Sequence, residues 1–221
     1  MKKILFGALL LAFCGSLAWA AEDWQVKLEE AKVNLDEGNY QAAESILQSL
    51  VASHPEEMEL NYYLGLVKIA EKQYTAAESF LKKANKLKPE DTLVLLDLAY
   101  VYVATNRPKQ AKDALSVVLQ KEPQNGRALY LRGVAAVQEN DCKAGQEYLS
   151  KARPLLPQKA AEINFDLGVC AKNQGKSQEA RKHFDEAIAA GKGTSWADRA
   201  VQEEANLPRK NMFYATGDVF Y

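Results

Sequence analysis

Apolar residues along this chain recur at helical spacing, and short polar turns break the pattern at regular intervals. The stretch 58–89 shows the unit. Leu60, Leu64 and Val67, with Lys68 beside them, mark one stripe at i, i+4 and i+7, the signature of an amphipathic helix. Glu71-Lys72-Gln73 reads as a polar turn, and Tyr74, Ala77, Leu81 and Ala84 mark a second stripe. Pro89 then stops the pattern, because proline lacks an N–H and its ring clashes with the preceding turn. The expected unit is two antiparallel helices and a stop. Gly65 on the first helix and Ala77 on the second are small, which predicts closely approaching axes with Tyr74 and Leu81 filling the space beside them.

The unit repeats. "NYQAAESIL" at 39–47 returns as "QYTAAESFL" at 73–81, 34 residues on, and Pro55, Pro89, Pro123 and Pro157 keep the same interval. Ala43, Ala77, Ala111 and Gly145 share a second register, and Leu47, Leu81, Leu115 and Leu149 a third. Gly65 and Gly133 alternate with Ala31 and Ala99 in a fourth. A helix pair of this kind cannot bury both of its faces alone, so each unit needs neighbours.

Leu64-Gly65, Ala77-x3-Leu81 and Pro89 resemble the tetratricopeptide repeat, as do Leu98-Ala99, Ala111-x3-Leu115 and Pro123. A fifth unit with Leu167-Gly168 and Ala180-x3-Phe184 is shifted by one residue, and the resemblance covers about residues 23–192. It implies an all-α fold, a right-handed α-solenoid of about five helix–turn–helix units at 24–57, 58–91, 92–125, 126–160 and 161–193. Residues 194–207 read as a capping helix, with Ser195 as N-cap, Asp198 completing the box, and Trp196, Ala200 and Val201 on the last repeat. An aromatic tail, 208–221, carries Met212, Phe213, Tyr214, Val219, Phe220 and Tyr221.

The resemblance further implies that first helices line a concave, ligand-taking face. The stripe expected there is Tyr62, Leu66 and Ile69, then Leu96, Tyr100 and Val103, then Tyr130, Val134 and Val137, then Phe165 with Val169 and Lys172. Relatives that clamp a C-terminal carboxylate use basic and amide side chains on this face. The corresponding positions here are Leu28, Lys32, Tyr63, Leu93 and Asp97, with one basic residue, which argues against that mode. The expected partner is another protein, held by an apolar extended or helical segment. The alternative is a self-associating component in which tail and groove meet.

Composition narrows the setting. The chain has 221 residues, 48% of them hydrophobic, and a formal net charge of −1, which gives no footing for a nucleic-acid polyanion. The first twenty residues, with Lys2 and Lys3, a short apolar run and Ala18-Trp19-Ala20, resemble a bacterial secretory signal peptide cleaved near Ala20. The expected product starts at Ala21 and is periplasmic or secreted, without a transmembrane span. Phe13, bulky where a small residue is required, argues against lipid anchoring at Cys14.

Enzyme chemistry finds little footing, and no catalytic residue, cofactor or metal is expected. The two histidines, His54 and His183, stand apart, and "AAGKGTS" lacks the strand that precedes a phosphate loop. Cys142 and Cys170 would open one helix and close to the end of a neighbouring antiparallel one. Two readings stand: a disulfide, or two buried free thiols. The absence of C-x-x-C spacing leaves little for a catalytic pair.

Overall fold

The computed structural model describes residues 24–208, built of α-helices with two short 3-10 turns and no strand among the described residues. They divide into two compact units, one ending at Pro123 and one beginning at Gln124. The first holds α1 (24–36), α2 (Tyr40–Ser53), α3 (Met58–Ala70), α4 (Tyr74–Leu87), α5 (Thr92–Ala104) and α6 (Pro108–Lys121). The second holds α7 (Gly126–Gln138), α8 (Cys142–Ala152), α9 (Ala160–Asn173), α10 (Ser177–Ala190) and α11 (Ser195–Ala205). Two 3-10 turns, Arg153–Leu155 and Pro157–Lys159, lengthen the α8–α9 connection, where the sequence repeat slips by one residue. The signal-peptide and tail expectations lie outside the described residues, apart from Pro208.

Side-chain caps start several helices by satisfying amide donors that have no intrahelical partner. The Asp91 carboxylate accepts from Leu93 and Val94 N–H at 3.1 and 3.4 Å, the Asn125 side chain from Ala128 N–H at 3.0 Å, and Asp141 from Ala144 N–H at 3.1 Å. Pro108 is the first residue of α6, where a missing N–H costs nothing. Thr194, not Ser195, caps α11: its hydroxyl accepts from Ala197 N–H, and Ser195 is already helical.

The turn inside each helix pair has one backbone solution used five times. Gly38, Lys72, Asn106, Asn140 and Gly175 all adopt positive φ, at 81°, 59°, 54°, 60° and 73°. Each donates to a carbonyl three residues back, and the next residue donates to one five residues back, as in Lys72 N–H to Ile69 O and Gln73 N–H to Lys68 O. This Schellman-type closure needs the left-handed conformation, which glycine and asparagine tolerate and lysine resists.

Helix pairing depends on a small residue facing a large one. A Cβ added at Gly65 would lie 2.7 Å from the Leu81 side chain, at Gly133 2.6 Å from Leu149 Cγ, and at Gly168 2.5 Å from the Phe184 ring. Ala31 and Ala99 take the same register, where Leu47 and Leu115 are fully buried. In the first unit, Leu28, Ala31, Ala43, Leu47, Leu50, Leu60, Leu64 and Val67 pack into one core across α1 to α3. In the second, Phe165, Ala171, Ala180, Phe184, Ala187, Ala200 and Leu207 do so across α9 to α11. Ala197, Ala200 and half-buried Trp196 set the inward face of α11, which turns Val201 to solvent rather than onto the last repeat.

Two stability outcomes follow. Lys72→Gly relieves the left-handed strain and raises the urea midpoint, with a gain of about 0.5–1 kcal/mol, whereas Asn106→Gly gains less. Gly133→Ala destabilises by about 1–3 kcal/mol. Gly65→Ala costs less, because the added Cβ at 133 meets Leu149 backbone nitrogen at 3.1 Å while that at 65 has no backbone atom nearer than 3.6 Å. Paired urea titrations of the two alanine variants check the order.

Candidate partner-binding surface

In the first unit, α1, α3 and α5 are the first helices of their pairs. Lys32 of α1 reaches Glu29 at 2.7 Å and Glu59 of α3 at 2.9 Å, with its ammonium 4.9 Å from the Tyr63 ring centre. Burial opposes the charge on Lys32, but the hydrogen bonds to Glu29 and Glu59 outweigh it and hold the group well above its ordinary value. The one basic residue among the clamp positions is therefore already engaged by two carboxylates, while Leu28 and Asp97 are buried.

From α3 to α5 the link is Tyr62, whose hydroxyl donates to Asp97 Oδ2 at 2.9 Å. The Tyr62 ring meets Tyr63 edge-on, centroids 5.4 Å apart, and Tyr74 of α4 meets Tyr100 of α5 at 6.4 Å. Helix α5 is apolar on nearly every side and packs against α3, α4 and α6. That enclosure decides which of its residues stay open. Leu96 is 2% exposed and belongs to the interior, a correction to its expected place on the face. Leu93 and Tyr100, at i and i+7 on one side of α5, are 55% and 37% exposed, and Val103 is half-buried. Tyr62, Leu66 and Ile69 on α3 are also half-buried.

In the second unit the equivalent stripe is more occupied. The Tyr130 hydroxyl donates to Glu162 Oε2 at 2.9 Å, and Lys159 both donates to Glu162 at 2.8 Å and sits 5.1 Å over the Tyr130 ring. Val134 and Val137 are half-buried, and Val137 leans on α8, where a Cβ on Gly145 would meet its Cγ2 at 2.9 Å. Phe165 is 3% exposed and lies between Phe184 of α10 and Trp196 of α11, centroids 5.9 and 5.5 Å away, with the Arg199 guanidinium 4.3 Å over its ring. It too is corrected from face to core, because α11 packs over α9. The structure thus holds Tyr62, Leu66, Tyr100 and Val103 in one unit together with Leu93, which the sequence placed on this face among the clamp positions rather than in the apolar stripe. Counting back seven from Tyr100 reaches Leu93, a signal the sequence already carried.

The other candidate groups make local contacts. His54 stacks on Trp24 with centroids 5.5 Å apart, and His183 lies 3.5 Å from Glu186. The Gly191-Lys192-Gly193-Thr194 run forms the α10–α11 turn, with Thr194 N–H donating to Gly191 O at 2.8 Å. Cys142 and Cys170 are both buried, and Cys170 Sγ lies 3.4 Å from where a Cβ on Gly145 would be, three residues along α8 from Cys142. Among the described residues no cluster of His, Cys, Asp and Glu could hold a metal ion, and no helix is long and apolar enough to cross a membrane.

Family models described as tetratricopeptide repeat match residues 68–135, and 28–92 together with 136–194. Among solved structures, MamA residues 41 to the end from Desulfovibrio magneticus RS-1 is 21% identical, with TM-score 0.68, covering 78% of this chain and 97% of that one. YrrB, a TPR protein with an unusual peptide-binding site, is 18% identical, with TM-score 0.67, covering 86% and 98%. A further MamA structure is 18% identical, with TM-score 0.66, covering 77% and 92%. No curated protein sequence matches the chain. At these identities the likeness is one of fold.

One electrostatic feature of the second unit gives a pH signature. Burial pushes the half-buried Asp166 carboxyl up to about 7, with Arg199 working against the rise and Glu162 adding to it. A raised acid binds more protons folded than unfolded between its ordinary value near 3.8 and about 7, so its contribution to stability falls as pH rises through that window. Asp166→Asn raises the thermal midpoint above pH 7, and the gain vanishes toward pH 4, as scanning calorimetry across pH reads directly.

Proposed function

The chain belongs to the tetratricopeptide-repeat family, and on that footing we propose that it is a non-catalytic protein-interaction scaffold of the bacterial cell envelope. Its binding surface is the first-helix face of the first unit, and its ligand is an apolar extended or helical segment of another protein. Repeats of this family act as interaction modules, which supports the scaffold reading. YrrB, with the same fold, is described as having a peptide-binding site. The observation that carries the choice of surface is the open pair Leu93 and Tyr100 beside half-buried Tyr62, Leu66 and Val103. Apolar side chains left in water on a helix face favour an occupant that removes them from it.

The engagement of Lys32 by Glu29 and Glu59 speaks against a ligand anchored by its C-terminal carboxylate. Placement in the envelope rests on residues 1–20, whose basic start, apolar run and Ala18-Trp19-Ala20 suit an export signal.

A photo-crosslinking residue placed at 93 or 100 tests the surface. It is expected to trap one polypeptide in cells, while the same residue at Ser79, exposed on second helix α4, traps none. Tyr100→Arg puts a charge into the face and weakens the interaction about tenfold or more, a loss near 1.4 kcal/mol. Equal trapping from position 79, or capture that survives Tyr100→Arg, overturns the assignment. A trapped second copy of this chain would establish self-association instead.

A further inference from the structure

We infer that Cys142 and Cys170 are a modification site: they form an internal disulfide that fastens α8 to α9 within the second unit. The first support is register. Counted along the repeat, Cys142 stands where Tyr40 and Tyr74 open their helices, and Cys170 stands where Val67, Val101 and Ala135 are fully buried. The corresponding pairs in the first unit are Tyr40 with Val67 and Tyr74 with Val101, each an aromatic and an aliphatic. In the second unit both members are sulfur, and they are the two free cysteines among the described residues.

The second support is packing. Both side chains are buried, on helices α8 and α9 that pack against each other. Gly145 occupies the place of Ala43, Ala77 and Ala111, and a Cβ there would sit 3.4 Å from Cys170 Sγ and 2.9 Å from Val137. The glycine thus keeps bulk away from the sulfur pair and lets α8 settle against α7. The third support is connection. The loop closed by the bond contains both 3-10 turns together with Pro154 and Pro157, the stretch where the repeat slips. A bond across an irregular connection removes more freedom from the unfolded chain than from the folded one.

The surroundings fit a structural bond rather than a redox-active one. Burial pushes the Cys170 thiol up, with the Cys142 contact and the Asp166 and Asp141 carboxylates adding to the rise, so little thiolate forms in the folded protein. Oxidation therefore belongs to folding, before the site closes. One cysteine thiolate attacks an external disulfide, releasing one thiol and leaving a mixed disulfide. The second cysteine thiolate then attacks the protein sulfur of that intermediate and releases the other thiol. Two S–H bonds become one S–S bond, and two electrons and two protons pass to the oxidant, a low-molecular-weight disulfide or a thiol oxidoreductase. The inference rests on the export reading only for the supply of that oxidant in the cell.

The full chain, unfolded and refolded with oxidised and reduced glutathione, provides the test. Trypsin without reductant is expected to yield peptides 133–143 and 160–172 joined to each other, and reductant to separate them. Reduction is expected to lower the thermal midpoint by about 10 °C or more. The double variant Cys142→Ala with Cys170→Val is expected to melt near the reduced protein. Separately alkylated peptides, glutathione on each cysteine without a cross-link, or a midpoint unmoved by reduction would overturn the inference and leave the binding surface untouched. A chain that cross-links on refolding but is reduced in cells argues against the export reading and upholds the pair.

Discussion

Everything in this protein hangs on one contact, a small residue on a first helix receiving a large side chain from the second. Leu81 lies where a side chain on Gly65 would be, Leu149 likewise at Gly133, and the Phe184 ring at Gly168. Because each Cβ position would fall inside van der Waals contact, the helices sit at a separation that nothing larger than glycine or alanine permits. That separation in turn demands a short return between helices, and the return has a left-handed residue in all five pairs. At Lys72, a residue type that resists this conformation, the turn is kept all the same.

Fixing the pair interior also decides what is left outside. With one side of a first helix committed to its own partner and its flanks committed to neighbouring pairs, only a narrow strip remains. On α5 that strip is Leu93 and Tyr100; on α9 it is reduced further, because α11 covers Phe165. Beside the apolar core, ion pairs join one helix pair to the next element: Lys32 to Glu59, Arg107 to Glu78 at 2.6 Å, Lys121 to Glu90 at 2.9 Å, and Arg181 to Glu204 of α11 at 2.7 Å. Partly exposed ion pairs of this kind add little stability each. Their effect is on register, since a pair slipped along its neighbour would leave the half-buried Glu78 without its guanidinium.

The period made the fold legible. A 34-residue ruler locates every helix pair, and the small–large register identifies the interior face of each. What the ruler could not give was the boundary between face and core on a first helix. Leu96 and Tyr100 stand four residues apart on one helical stripe, yet one is sealed and the other open. The difference comes from how α3, α4 and α6 enclose α5, a tertiary fact with no local signal. Phe165 was misplaced for a related reason: the stripe continues through it, but the last repeat has α11 rather than another pair beside it. The α11 cap is Thr194 rather than Ser195 because the two are adjacent and both residue types can cap, and the intrinsic preference for serine is too small to decide the position.

The cysteine pair and the open strip are complementary answers to the same constraint. A repeat interior tolerates few substitutions, so functional variation must enter where the small–large contact is indifferent to side-chain identity. The opening residue of a second helix is such a position, held by Tyr40, Tyr74, Pro108, Cys142 and Ser177 in turn. The outward residue of a first helix is another. In the first unit, that freedom places aromatic and aliphatic groups where a ligand can reach them. In the second, it admits Cys142 at the start of α8, while Cys170 takes a buried position on α9, in a unit whose α8–α9 connection is the least regular of its joints. Where the register loosens, the chemistry of a covalent tie becomes most valuable, because neither the turn geometry nor the repeat contact holds that joint alone.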